Sequence, residues 1–256
     1  MLKRVAAVVV ALSLPSLAPS ACHAPRPPEP VGRDTVFRAP TLTALVRLPA
    51  RFDSAATYPL LVALHGYGGT ATNLAPVFTP FAAESLVVAV PQAEFPGPPG
   101  GFSWFYRTGD RSLWDVFDTR SVNDLLELIA ALRARYRIGK VFVLGFSQGA
   151  SLAYMTGLRN PALVSGVLAI GGYPPEIDRA GSIIHEQDIA GARRLPLYIA
   201  HGTRDSTVGR HVFQAQLEYF RSEGYAVTAV EYAGGHTLPP ALMAHVRQWL
   251  MAEVRR

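Results

Sequence analysis

The segment richest in potential chemistry is Gly145-Phe146-Ser147-Gln148-Gly149. It follows an apolar run ending at Leu144 and precedes a helix-compatible run, Ala150 to Leu158. A serine at a sharp strand-to-helix turn presents its hydroxyl to solvent, and small flanking residues let strand and helix approach that closely. The helix behind it aims its first amides at developing negative charge. A serine hydroxyl is a weak nucleophile at neutral pH and needs a base. The histidines at 23, 65, 185, 201, 211, 236 and 245 are the candidates. His236 lies in Gly234-Gly235-His236-Thr237, after the last strand-like run and before the last helical one, in a loop that can swing an imidazole over a sheet edge. His245 falls on the polar face of the final helical pattern, His185 and His211 lack a post-strand loop, and His23 sits in a proline-rich stretch. The acid that orients the base is expected just past the preceding strand, which selects Asp205. There it can accept the Nδ1 proton of His236 and fix the tautomer; the same position suits a helix cap. Asp110, Asp115, Asp118 and Asp188 fit no post-strand position as well.

An acyl-transfer intermediate also needs donors for its oxyanion. The amide of Gln148, directly after the serine, is one. His65-Gly66-Tyr67-Gly68-Gly69 ends another apolar run, and the amide of Tyr67 is the second choice, with Gly66 as the alternative. No lysine follows these glycines and the G-x-G-x-x-G spacing is absent, so a phosphate loop is not indicated. His65 and His201 read as structural hydrogen-bonding residues. This chemistry needs no metal or organic cofactor, and the single cysteine excludes a disulfide framework or a Cys-rich metal site.

Short, continuously apolar runs must position these groups. They are Tyr58 to His65, Leu86 to Val90, Val141 to Gly145, Leu163 to Ile170, Leu195 to Ala200 and Tyr225 to Tyr232. Such runs suit parallel strands buried on both faces. Thr41 to Leu48 reads as an edge strand. Helical patterns intervene at Ser121 to Tyr136, with a Ser121/Asp124 capping-box spacing, and at Val208 to Glu223 and Leu242 to Val254. Alternating strands and helices give an α/β fold with a mostly parallel central sheet and helices on both faces. The Pro/Gly-rich stretch Pro91 to Gly101 is expected to be a loop that forms a pocket wall.

The chain has 256 residues, is 49% hydrophobic, and carries a formal charge of +5, to which Lys3 and Arg4 contribute two. Disorder and a multispanning membrane protein are excluded, and the residual charge gives no argument for nucleic acid binding. Lys3 and Arg4, the apolar stretch Val5 to Leu14 and the small residues before Cys22 have the order of an export signal, read as residues 1–22. Cys22 occupies the position of a lipid-modified cysteine that would anchor the chain to a membrane; ordinary cleavage near Ser20 is the alternative. Residues 23–40 read as a proline-rich tether, and 41–256 as one folded domain. The protein is therefore expected to be exported: secreted, periplasmic or membrane-anchored.

These motifs together resemble the α/β-hydrolases, and within them the phospholipase/carboxylesterase family that includes acyl-protein thioesterases. Leu64-His-Gly-Tyr-Gly-Gly69, Pro91-Gln92-Ala93, Ser103-Trp104-Phe105, the serine segment, His201-Gly-Thr-Arg-Asp205 and Gly235-His236 carry the likeness. Feruloyl esterases look similar at this level. The resemblance implies an α/β-hydrolase fold with little or no lid. It implies Ser147, Asp205 and His236 as triad, and Tyr67 and Gln148 as oxyanion donors. It implies Trp104 and Phe105 as an aromatic segment beside the substrate. Gly171-Gly-Tyr-Pro-Pro175 departs from the family pattern. The expected activity is hydrolysis of small-molecule carboxylic esters with short or medium acyl chains. A thioesterase, lysophospholipase or peptidase on the same triad is the near alternative, and a non-catalytic tethered binding protein the distant one.

Overall fold

Residues 32–256 are described by the computed structural model. Residues 1–22, Cys22 included, and residues 23–31 of the expected tether lie outside the described residues.

Strand side chains alternate between two cores. In β3 (Tyr58–Leu64), Leu60, Val62 and Leu64 enter one hydrophobic cluster while Leu61 and Ala63 enter the other. In β7 (Ile138–Phe146), Val141 and Val143 take the first side, Phe142 and Leu144 the second. That period of two, apolar on both faces, is what makes these strands central. The other strands are β1 (Asp34–Arg38), β2 (Thr43–Arg47), β4 (Val87–Pro91), β8 (Gly166–Ile170), β9 (Leu197–Gly202) and β10 (Val227–Tyr232), with the short pair β5 (Phe95–Pro96) and β6 (Phe102–Ser103) apart. The large sheet runs β1-β2-β4-β3-β7-β8-β9-β10. From β4 to β10 the neighbours are parallel; β2 pairs antiparallel with both β1 and β4.

One face is covered by α2 (Trp114–Arg135), α3 (Gln148–Arg159), α4 (Glu186–Gly191) and α5 (Arg210–Ser222). The other is covered by α1 (Ala71–Leu74), the 3-10 turns of 75–83 and α6 (Pro240–Arg255). Among the described residues no helix is long and apolar enough to cross a membrane.

Three expectations are corrected. Residues 34–38, assigned to the tether, form β1, because Asp34-Thr-Val-Phe-Arg38 holds no proline and pairs along its full length with β2. The folded part therefore begins before residue 41, and β2 is an inner strand rather than the edge. Helix α2 starts at Trp114, so Ser121 and Asp124 are interior, not a cap. Ser121 Oγ donates to the Trp104 carbonyl, and Asp110 accepts from the Ser112 amide at the true start of the turn.

Candidate active site

Ser147 stands between the end of β7 and the start of α3 with φ 55 and ψ −119. A non-glycine residue there carries about 1–3 kcal/mol of strain. The surroundings impose it. A Cβ on Gly145 would lie 2.0 Å from the Gly149 carbonyl oxygen, and one on Gly149 would lie 2.6 Å from the Leu64 carbonyl oxygen. The Ser147 amide donates to Ile170 O at 2.9 Å, tying the turn to β8.

Two loops from the same sheet end complete the constellation. Asp205 follows β9 and His236 follows β10. His236 Nδ1 and Asp205 Oδ2 are 2.7 Å apart, with the Asp205 side chain fully buried and that of His236 19% exposed. The other oxygen, Oδ1, accepts from the amides of Thr207 and Val208, each at 2.9 Å. Burial alone would raise the Asp205 carboxyl. The Val208 amide, His236 and the Thr207 amide outweigh it and hold the carboxyl below its ordinary value. An ionised carboxylate only accepts, so Nδ1 carries the proton and Nε2 is left unprotonated. The His236 ring packs 4.7 Å from the ring of Phe146, the residue before Ser147. Among the described residues Ser147 Oγ has no hydrogen-bond partner; catalytic hydrogen bonds commonly tighten when substrate binds.

The loop after β3 lies against the serine: a Cβ on Gly66 would be 3.1 Å from Ser147 Cβ. His65 holds that loop from below. Its Nε2 accepts from the Ala93 amide and Gln92 Nε2, each at 3.2 Å, so the ring is neutral with Nδ1–H donating to Gly66 O at 2.8 Å. Burial pushes its pKa down, with the Gly66 bond opposing. Among the described residues the amides of Tyr67 and Gln148 have no backbone or side-chain acceptor, which leaves both donors open. The 91–101 loop does not wall the cleft as expected. It packs against this glycine loop instead: a Cβ on Gly68 would lie 3.3 Å from Pro98 Cγ, and one on Gly101 would lie 2.1 Å from Gly68 O, while β6 just beyond pairs with the loop through Gly68 N to Phe102 O and Phe102 N to Gly69 O.

The sequence readings of Trp104 and Phe105 divide. Trp104 is 2% exposed, donates its Nε1 to His65 O at 2.7 Å and packs on the His65 ring. It supports the loop from the core and is not a cleft residue. Phe105 does line a cleft of about 420 Å³ that opens beside Ser147. The Gln148 side chain clamps the 103–105 segment, accepting from Trp104 N at 2.9 Å and donating to Phe105 O at 2.9 Å.

Arg107, Trp114, Asp118, Met155 and Tyr173 also line this cleft, and sequence reasoning did not single them out as site residues. Trp114 and Asp118 are spaced i, i+4 on one helix, a signal hidden while the helix was begun at Ser121. Tyr173 comes from the segment after β8 that departs from the family pattern; it forms a rim, with no inserted helical lid among the described residues. Among the described residues, His185, His245 and His201 make other contacts. His185 pairs with Asp178 at 2.8 Å on the surface, and His245 Nδ1 meets Tyr198 OH at 3.0 Å. His201 is buried, stacked on Phe213.

A family model described as Phospholipase/Carboxylesterase matches residues 53–253. An Arabidopsis thaliana protein described as a probable carboxylesterase SOBER1-like is 29% identical over 111 residues, 43% of this chain and 41% of that protein. The carboxylesterase SOBER1 of the same plant is 26% identical over 116 residues, 45% of this chain and 49% of that protein. The alignments thus span less than half the length of these curated relatives. The crystal structure of a carboxylesterase from Mesorhizobium loti matches 86% of this chain and 99% of its own, with a TM-score of 0.70 at 20% identity. That of the esterase PE8 matches 83% and 99%, with a TM-score of 0.68 at 23% identity. At these identities the likeness shows a shared fold.

Proposed function

The chain belongs to the phospholipase/carboxylesterase family, and from that premise we propose that it is a serine hydrolase of small-molecule carboxylic esters, with Ser147, His236 and Asp205 as its triad. The observation that carries the reading is the 2.7 Å His236–Asp205 pair beside a serine held at φ 55. His236 Nε2 takes the Ser147 Oγ proton as the oxygen attacks the ester carbonyl. The Asp205 carboxylate stabilises the imidazolium and keeps Nε2 facing the serine. The open amides of Tyr67 and Gln148 receive the oxyanion. His236 then protonates the departing alkoxide, and water deprotonated by His236 releases the acid from Ser147. The absence of an inserted lid among the described residues supports short or medium acyl chains. The order of charge, apolar stretch and small residues before Cys22 supports export, with or without a lipid anchor.

The test treats the wild-type protein and Ser147→Ala with a fluorophosphonate probe, then with p-nitrophenyl esters of increasing acyl length. Labelling and turnover in the wild type, with both lost in Ser147→Ala, is the expected result. A folded wild type that neither labels nor turns over any ester overturns the proposal and favours a binding protein on a hydrolase scaffold.

A further inference from the structure

Phe105, Arg107 and Trp114 line one side of the cleft, and with Arg111, which stacks on Trp114 from outside the lining, their rings and guanidinium groups alternate in the order Phe105, Arg107, Trp114, Arg111. Arg107 Cζ lies 3.9 Å from the Phe105 centroid and 4.7 Å from that of Trp114; Arg111 Cζ lies 4.2 Å from Trp114. A guanidinium over a ring face is attracted by the ring quadrupole, so each member holds the next. Carboxylates fix the cations. Asp118, whose side chain is 5% exposed, takes Arg107 in a fork at 2.8 and 3.0 Å, and Glu176 pairs with Arg111.

The charged residues lining the cleft are Arg107, Asp118 and Glu176, and each is already paired. The cleft is thus aromatic-lined, preorganised by these contacts and electrically balanced. It is lined by Ser147 but not by His236. The departing alkoxide must take its proton from His236, so the alcohol part lies on the histidine side and the cleft receives the acyl part.

We infer that the Phe105–Arg107–Trp114–Arg111 stack sets acyl specificity, selecting a flat, uncharged acyl group that bears an aromatic ring over an alkyl chain of equal carbon count. The inference rests on the ester-hydrolase reading above. A ring brings rigid area and has few rotors to freeze, whereas an alkyl chain must be ordered bond by bond against a wall that does not adapt. An anionic acyl group would find the lining cation, Arg107, already engaged by Asp118.

The experiment measures kcat/KM for ethyl phenylpropanoate against ethyl nonanoate, and for benzyl acetate against heptyl acetate, with fluorophosphonate labelling of Ser147 in parallel. On the acyl side the ring is expected to win by about tenfold or more. Trp114→Leu lowers that ratio at least about fivefold, while Trp114→Phe keeps most of it. Should Trp114→Leu not fold, inhibition of the wild type by phenethylboronic against octylboronic acid gives the same comparison. A ratio near one on the acyl side, ring preference only on the alcohol side, or a ratio unmoved in folded Trp114→Leu overturns the inference. In each of those cases the ester-hydrolase reading stands, because Ser147 labels and esters turn over. Absence of both labelling and turnover overturns both.

Discussion

In the proposed triad, Asp205 does different work with each carboxylate oxygen, and that division separates catalysis from stability. Oδ2 faces His236 Nδ1, and Oδ1 accepts the Thr207 and Val208 amides. In Asp205→Asn the amide oxygen keeps the two backbone donors. The NH2 group then faces the histidine, forces Nδ1 to accept and puts the proton on Nε2, where it blocks the serine. Turnover is expected to fall by about ten-thousandfold with little change in denaturation midpoint. Asp205→Ala loses both functions, adding a stability loss of about 1–2 kcal/mol from the two orphaned amides. Kinetics and denaturant unfolding of the two variants, side by side, check this. The folded carboxyl titrates below its ordinary 3.8. Its ionised form therefore adds stability that is complete above that pH and is lost as pH falls further. The stability difference between wild type and Asp205→Ala should narrow accordingly in acid.

The serine turn is a packing problem between three elements. A methyl on Gly145 would strike the Gly149 carbonyl, and one on Gly149 would strike β3 at Leu64 and His65. Gly145→Ala and Gly149→Ala are each expected to cost about 3 kcal/mol or more, because backbone rather than a mobile side chain must move. Gly191, at the end of α4, has open space around it: a methyl there would meet nothing within 4 Å. Gly191→Ala should instead stabilise by about 0.5 kcal/mol, since it only narrows the unfolded ensemble. Urea midpoints of the three variants distinguish a crowded glycine from a free one. This elbow was legible in sequence because glycine, serine and a flanking apolar strand are local signals. The same holds for Asp205 and His236, each placed by the strand that precedes it. The cleft was not legible. Arg107 and Asp118 are read only together, across a helix start obscured by the polar, aromatic run from Asp110 to Arg120. Trp104 was misplaced because its aromatic type fits a core support as well as a substrate wall. What separates these is the indole bond to His65 O, a long-range contact.

The boundary of the domain is a property of the whole sheet, and it turns on one strand that composition concealed. Prolines at 25, 27, 28, 30 and 40 enclose Asp34–Arg38, so the stretch reads as extended chain. In the fold it closes the edge beside β2, and Asp34 takes Arg47 at 2.7 Å. The Arg47 side chain is only 9% exposed, and among the described residues its Nε and NH1 have no hydrogen-bond partner. A chain beginning at residue 41 would take this guanidinium's carboxylate away. It would also uncover the backbone edge of β2, Thr43-Ala-Leu-Val-Arg47. The unpaired charge alone is expected to cost about 3 kcal/mol. The bare edge adds a template for strand-to-strand association, which native edges avoid by pairing or covering it. Compared with a chain beginning at residue 32, the shorter one should melt earlier and form larger species at rising concentration. Ser147, His236 and Asp205 lie on the far, parallel part of the sheet, so any active monomer of the shorter chain should keep its kcat. Asp34→Ala in the longer chain isolates the charge: it should lower the melting temperature without promoting association, since the β1 backbone still covers the edge. Equal melting of all three chains in calorimetry would show that β1 is an ornament of the fold rather than part of its closure.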